Sequence, residues 1–211
     1  MCNSAMEVLL INMNLYENEN KNRNHFYDEL IKSTYFKDKN LLIDKEVPVP
    51  YKHIYIPNLP KAILEIWCFK QDICIYEKLF DKKIGYKDAR IISSKLDDEL
   101  IYIKLEKDSS QNSHHVALPY VIIETKMGKN INTHELLAYS EKVQMIKTIF
   151  PFCRFIMLFF GEPPTRAYRH GLNFDEILYL DDLSSEKITY KIEKIKNNYE
   201  NAIHDIIYMK A

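Results

Sequence analysis

Residues 120–126, YVIIETK, close an apolar β-branched run with a carboxylate and an ammonium two positions apart. Side chains of a strand alternate faces, so Val121, Ile123 and Thr125 point one way while Ile122, Glu124 and Lys126 point the other. A second acid, Asp98, stands just before the run 100–105 (LIYIKL), which has a strand's period of two. If these strands form a hairpin centred between Gln111 and Asn112, Asp98 or Glu99 faces Glu124. Two carboxylates held together repel, and a hard divalent cation such as Mg²⁺ relieves that by binding both through oxygen. Such an ion polarises a phosphodiester and acidifies a bound water, while an amine beside it orients the water or stabilises developing charge. The simpler reading is a strand mouth carrying two solvated charges.

Composition bounds the alternatives. The 211 residues suit one sizeable core, and 46% hydrophobic with 28% charged residues is a globular balance. Only four glycines occur, and neither GxGxxG nor GxxxxGK[ST] is present, which disfavours nucleotide folds built on a glycine-rich phosphate loop. A net charge of −1 supplies no global field for nucleic acid, although a local basic cleft is compatible with it. Cys2, Cys68, Cys74 and Cys153 form no CxxC pair and suggest a reducing compartment without structural zinc. The start MCNSAMEVLLINMN does not read as a signal peptide, and residues 150–161 are too short to span a bilayer. The expected setting is the cytoplasm, with no membrane contact.

Certain elements must position these groups. Residues 14–24 (NLYENENKNRN) predict a loop, and residues 25–36 a short helix with Phe26, Leu30 and Tyr35 near one face and Glu29 within it. After a proline-marked passage, the apolar stretch 61–80 predicts a helix with Pro60 suited to its first turn; Ile73, Cys74 and Ile75 keep a strand as the alternative. Strands are predicted around 89–94, at 100–105 and up to Lys126. Residues 130–150 predict a helix with Asn132 as cap and Glu135 in the capping-box position, stopped by Pro151. Residues 153–160 (CRFIMLFF) predict a strand covered on both faces, parallel to the YVIIETK strand and beside it. Residues 161–177 predict an exposed loop. Residues 184–211 predict one long amphipathic helix that packs on the body or on a second subunit.

This order of helix, three antiparallel strands, helix and parallel strand, with Asp98 upstream of Glu124-Thr125-Lys126, resembles the PD-(D/E)XK nuclease superfamily. The resemblance covers about residues 85–161. It implies Asp98 as first metal ligand, Glu124 as second, the carbonyl of Thr125 near the metal, and Lys126 as the catalytic lysine. The reaction implied is phosphodiester hydrolysis with Mg²⁺, for which Mn²⁺ can substitute. Leu96-Asp97-Asp98 lacks the proline of the motif's name, so Asp97 and Asp88 are rivals for the first ligand. Glu135 is most simply a helix cap and Tyr139 a core or boundary residue, although recombination nucleases of the superfamily often carry a Gln and a Tyr at this spacing after the lysine. Glu29 could approach the metal from the first helix, but an exposed helical glutamate is the simpler reading. His114 and His115 have no metal-spaced partner. Lys129 is a phosphate contact in this scheme, and Arg166, Arg169 and His170 contact DNA through phosphates or guanine edges.

The expectation is one α/β domain over residues 1–211 with a restriction-endonuclease-like αβββαβ core, its mixed central sheet flanked by helices, plus a long C-terminal helix. An N-terminal helical part covers about 24–80, the catalytic core about 85–161, and a specificity and dimer segment about 162–211. The expected function is a type II restriction endonuclease that cuts double-stranded DNA as a homodimer. A structure-selective recombination or repair nuclease is one rival. A non-catalytic DNA-binding scaffold, in which Glu124 and Lys126 form an ordinary ion pair, is the other.

Overall fold

A long strand, where periodicity predicts a helix, sets the plan of the molecule. The computed structural model describes residues 14–37, 39, 41–56, 63–78, 90–93, 100–105, 117–128, 130–171 and 173–209. In chain order the elements are α1 (Glu19–Lys32), α2 (Thr34–Lys37), β1 (Leu42–Ile56), β2 (Ile63–Lys78), β3 (Arg90–Ser93), β4 (Leu100–Leu105), β5 (Ala117–Met127), α3 (Thr133–Ile149), β6 (Arg154–Phe160), α4 (Thr165–His170), β7 (Glu176–Leu180) and α5 (Ser185–Met209). Of the stretch 61–80 expected to be a helix, residues 63–78 are β2, the strand kept as its alternative, and residues 47–56 of the proline-marked passage belong to β1. Among the described residues, the supposed N-terminal helical part is helical only as far as Lys37. Pro48 and Pro50 are accommodated because β1 pairs with β2 alone, leaving its other edge free of ladder hydrogen bonds among the described residues.

The sheet is mixed. Its order is β3-β4-β2-β5-β6-β7, with β1 on the other side of β2. One edge of β2 is shared end to end: β4 runs parallel to its first part, from Ile63 to Cys68, and β5 antiparallel to its last part, from Ile73 to Lys78. The expected hairpin between β4 and β5 is thus not made. β2 takes both strands along one of its edges, and the remaining edges of β4 and β5 go to β3 and β6. β5, β6 and β7 are mutually parallel, as the reading of CRFIMLFF required for β6. Set aside the one-turn α2 and the β3-β4 pair and the chain reads α1-β1-β2-β5-α3-β6, an αβββαβ order.

Helices cover both faces. Phe26, Leu30 and Phe36 meet Ile73, Ile75, Val121, Ile123, Ile156 and Leu158 on one side, and Ile188, Ile195, Tyr199 and Ala202 of α5 close that core. α3 covers the opposite face, where Val143 and Ile146 pack on Cys74, Ile122 and Phe155. α4 joins the same side through Ala167 against Leu136, Met157 and Phe159. Residues 155–160 of β6 are all buried, as a strand with a helix layer on each face must be. The apolar stripe of α5 packs on the body, so it does not form an open dimer face.

Two local features differ from expectation for readable reasons. α1 begins inside the Asn-rich segment: Asn18 accepts from the Lys21 amide, and Glu19 sits where the helix dipole favours an acid. Its buried stripe is Asn22, Phe26 and Leu30, and polar Asn22 hides the first step. Asn22 is satisfied from both ends of its amide by the backbone of Tyr16. The 161–177 segment holds α4 and the start of β7 rather than a plain loop.

Candidate active site at the end of the fifth strand

The last rung joining β2 to β5 is Ile73 opposite Ile123. One step further, Asp72 and Glu124 stand where the two strands part, and β5 continues to Met127 paired with β6 alone. β1 is irregular at the same level. Glu46 lies between the pairs Lys45–Ile73 and Val47–Gln71, hence across from Asp72, and has φ of 58°. A left-handed residue in a strand is costly without a glycine and is a kind of strain that collects at functional sites. It also reverses the pleat. Ile43 packs on the α1 side, whereas Val47 and Val49 pack on the α3 side.

Asp72 is held from two directions. Its Oδ2 accepts from the amide and the hydroxyl of Thr125 at 2.9 and 2.7 Å, and its Oδ1 accepts from Arg23 Nη1 of α1 at 2.5 Å. Glu124 is 5% exposed; Lys142 Nζ of α3 lies 3.5 Å from its Oε1, while its Oε2 is buried without a partner. Burial pushes the Glu124 carboxyl above its ordinary range. Lys142 opposes that shift, Asp72 adds to it, and Lys126 and the Asp72 amide oppose it again.

Lys126 bridges α1 and α3. Its Nζ lies 3.4 Å from Glu19 Oε1 and 5.4 Å from the ring centre of Tyr139, and Glu19 Oε2 also accepts from the Met127 amide at 3.3 Å. Burial alone would lower the pKa of Lys126, but Tyr139, Glu19 and Asp72 outweigh it and the net shift is upward. Lys126 is therefore an ammonium at any physiological pH, a donor and not a base. Tyr139 is pushed up to about 12, chiefly by burial and then by Glu124, and stays a neutral phenol. Lys142 Nζ sits 5.4 Å from the ring centres of both Phe69 and Tyr139.

The geometry tests each expected residue. Glu124, Thr125 and Lys126 are together, with Thr125 serving through its amide and hydroxyl. Asp98, its rivals Asp97 and Asp88, the pair His114 and His115, and Lys129 lie outside the described residues. The pairing that would have set Asp98 or Glu99 against Glu124 is replaced by β2, whose Asp72 takes that place. Leu100 instead pairs with Ile63, at the opposite end of β2. Glu135 is the reciprocal helix cap, exchanging bonds of 2.8 and 3.0 Å with Asn132, whereas Tyr139 lines the site. Glu29 pairs with Lys32 on the surface, and the acid that α1 supplies is Glu19. Arg166 donates to the Ile131 carbonyl at 2.5 Å and so ties α4 to the start of α3; Arg169 is exposed and His170 half-buried at the end of α4.

Four contributors escaped the sequence reading: Glu19, Arg23, Asp72 and Lys142. A signal existed for Asp72, since the pair Gln71-Asp72, with Lys70 before it, parts two apolar runs, residues 66–69 and 73–76. A helical reading sends such a pair to solvent, whereas a strand reading makes it an oddity.

Asp72 and Glu124, with Glu19 at the rim, offer hard oxygen donors, and the unpartnered Glu124 Oε2 is one of them. That set suits Mg²⁺ or Mn²⁺, which bind through one or two carboxylates and complete their shell with water or substrate oxygen. Among the described residues, no three of Asp, Glu, His and Cys form a ready-made metal cage. No protein-family model matches the chain, and a search of curated proteins finds no match.

Proposed function

We propose that this protein is a metal-dependent endonuclease that hydrolyses phosphodiester bonds of double-stranded DNA, in the manner of PD-(D/E)XK enzymes and most like a type II restriction endonuclease. The observation that carries the reading is the convergence of Asp72, Glu124 and Lys126 at the fork between β2 and β5. An αβββαβ order of elements around that fork supports it.

In this reading Asp72 and Glu124 hold one divalent cation, Mg²⁺ or Mn²⁺. Bound there, the ion would polarise the scissile phosphate and acidify a water. Thr125 and Arg23 fix the Asp72 carboxylate. Lys126, kept cationic and aimed by Glu19 and Tyr139, donates to the attacking water or to a non-bridging phosphate oxygen, where charge grows in the transition state. Lys142 offsets the buried charge of Glu124. Arg169 and His170, with Arg166 and Lys129, are the proposed DNA contacts; α4 follows β6 at the same end of the sheet as Lys126.

Cutting both strands of a palindrome calls for a two-fold dimer, which here would use a surface other than the buried stripe of α5. No helix among the described residues is long and apolar enough to cross a membrane. Cys68, Cys74 and Cys153 are free buried thiols, which supports placing the enzyme in the cytoplasm. Incubating the protein with plasmid and Mg²⁺ tests the reading. Discrete fragments are the expected result, and no cleavage with either Mg²⁺ or Mn²⁺ would refute it.

Tyr139 favours a second reading, a structure-selective nuclease of recombination, because it lies against the lysine. Preferential cutting of four-way junctions over linear duplex would select that reading.

A further inference from the structure

Gln71 is a buried polar side chain beside the site that nothing satisfies. It is 1% exposed, and neither its amide oxygen nor its amide nitrogen meets a partner. Buried amides are nearly always hydrogen-bonded, and an unmet one weakens the fold. Its orientation is the product of a special backbone. Residues two apart on a regular strand share a face, so Gln71 would ordinarily point with Ile73 into the core beneath α1. The pleat reversal at Glu46 turns it instead, with its partner Val47, to the α3 side. Glu124 meets Lys142 of α3 on that same side. Gln71 precedes Asp72 directly, and Glu124 Oε2 is likewise buried and unpartnered.

We propose that Gln71 is a further oxygen donor to the divalent cation, through its amide carbonyl, beside Asp72 and Glu124. The inference rests on the metal-dependent reading above. Mg²⁺ and Mn²⁺ favour carboxylate, carbonyl and water oxygens, and amide carbonyls serve as ligands to such hard cations. A neutral donor also adds a ligand without a third negative charge, in a place where burial already opposes the ionisation of Glu124. The strained turn at Glu46 then has a purpose, since it turns the amide to the side of the sheet on which Glu124 meets Lys142.

The test compares the full chain with its Gln71→Leu and Gln71→Glu variants by Mn²⁺ titration, followed by electron paramagnetic resonance, and by thermal melting with and without MnCl₂. Gln71→Leu keeps the volume and removes the unmet amide. It should melt at or above the wild-type temperature without metal and bind Mn²⁺ at least about tenfold more weakly. Gln71→Glu should melt lower without metal, retain Mn²⁺ binding, and gain more stability from Mn²⁺ than the wild type does. Wild-type Mn²⁺ affinity in the Leu variant would overturn the role of Gln71 alone. A Leu variant that melts well below wild type without metal would also overturn it, by showing that the amide serves the fold. If the Leu variant does not fold, loss of binding in the Glu variant overturns the proposal and retention supports it. Absence of Mn²⁺ binding by the wild type would remove the nuclease reading as well.

Discussion

Asp72→Asn keeps the shape of the side chain and one acceptor oxygen but deletes the charge. Arg23, only 13% exposed, then loses its 2.5 Å partner and retains Glu46 at 3.9 Å as a distant substitute. Removing one member of a buried ion pair costs about 3–5 kcal/mol. Residual exposure, the remaining Glu46, and relief of repulsion with Glu124 place this case at the low end, about 3 kcal/mol. For a chain of 211 residues each kcal/mol moves Tm by roughly 2–4 °C, so a fall of roughly 6–12 °C is expected. Loss of a metal-holding carboxylate should lower plasmid cleavage by about 10²–10³-fold or more in the folded variant. Thermal melting and Mg²⁺-dependent plasmid cleavage at a temperature well below the variant's Tm read the two effects separately. Asp98→Asn, assayed alongside, should leave cleavage intact. Wild-type cleavage by Asp72→Asn, or its loss in Asp98→Asn, would refute the assignment of Asp72.

Glu124→Gln should abolish cleavage yet melt above the wild type at pH 7. Burial holds the folded pKa of Glu124 above its ordinary 4.5, so folding favours the neutral acid; that contribution is full below pH 4.5 and is lost as pH rises through the folded value. The gap in Tm should close toward pH 4, and a variant less stable than wild type at pH 7 would contradict this. Tyr35 and Tyr139, both pushed up to about 12 mainly by burial, and Tyr76 and Tyr120, also raised, contribute stability that is full below pH 10.0 and lost as pH climbs through their folded values. Their phenolates should therefore appear in ultraviolet absorbance together with loss of circular dichroism, and ionisation well before unfolding would count against it. Gly128→Ala should destabilise the protein by about 1–3 kcal/mol in denaturant melts, because its Cβ would stand 2.2 Å from the carbonyl oxygen of Glu162, a backbone atom. An unchanged midpoint would show that the two loops can separate freely.

The sequence by itself determined whatever depends on local period and local caps. The alternation in YVIIETK put Glu124 and Lys126 on one face, the Asn132–Glu135 box placed α3, and the near-continuous apolar run of β6 called for cover on both of its faces. The isoleucine spacing of α5 marked a stripe that indeed packs on the body. Only the tertiary structure decided which acid meets Glu124. Residues 61–80 satisfy a helical and an extended pattern alike, and the choice is made by β1 and β5 offering ladders on both edges. Partnership between Asp72 and Glu124 spans distant parts of the chain and passes over the nearer β4, which β2 captures elsewhere along its length. Glu19 and Arg23 became visible only once α1 was docked by Phe26 and Leu30, and the facing of Gln71 depends on one left-handed residue in a neighbouring strand. Periodicity describes a segment's own faces; which distant segment lies against them is a property of the packed whole.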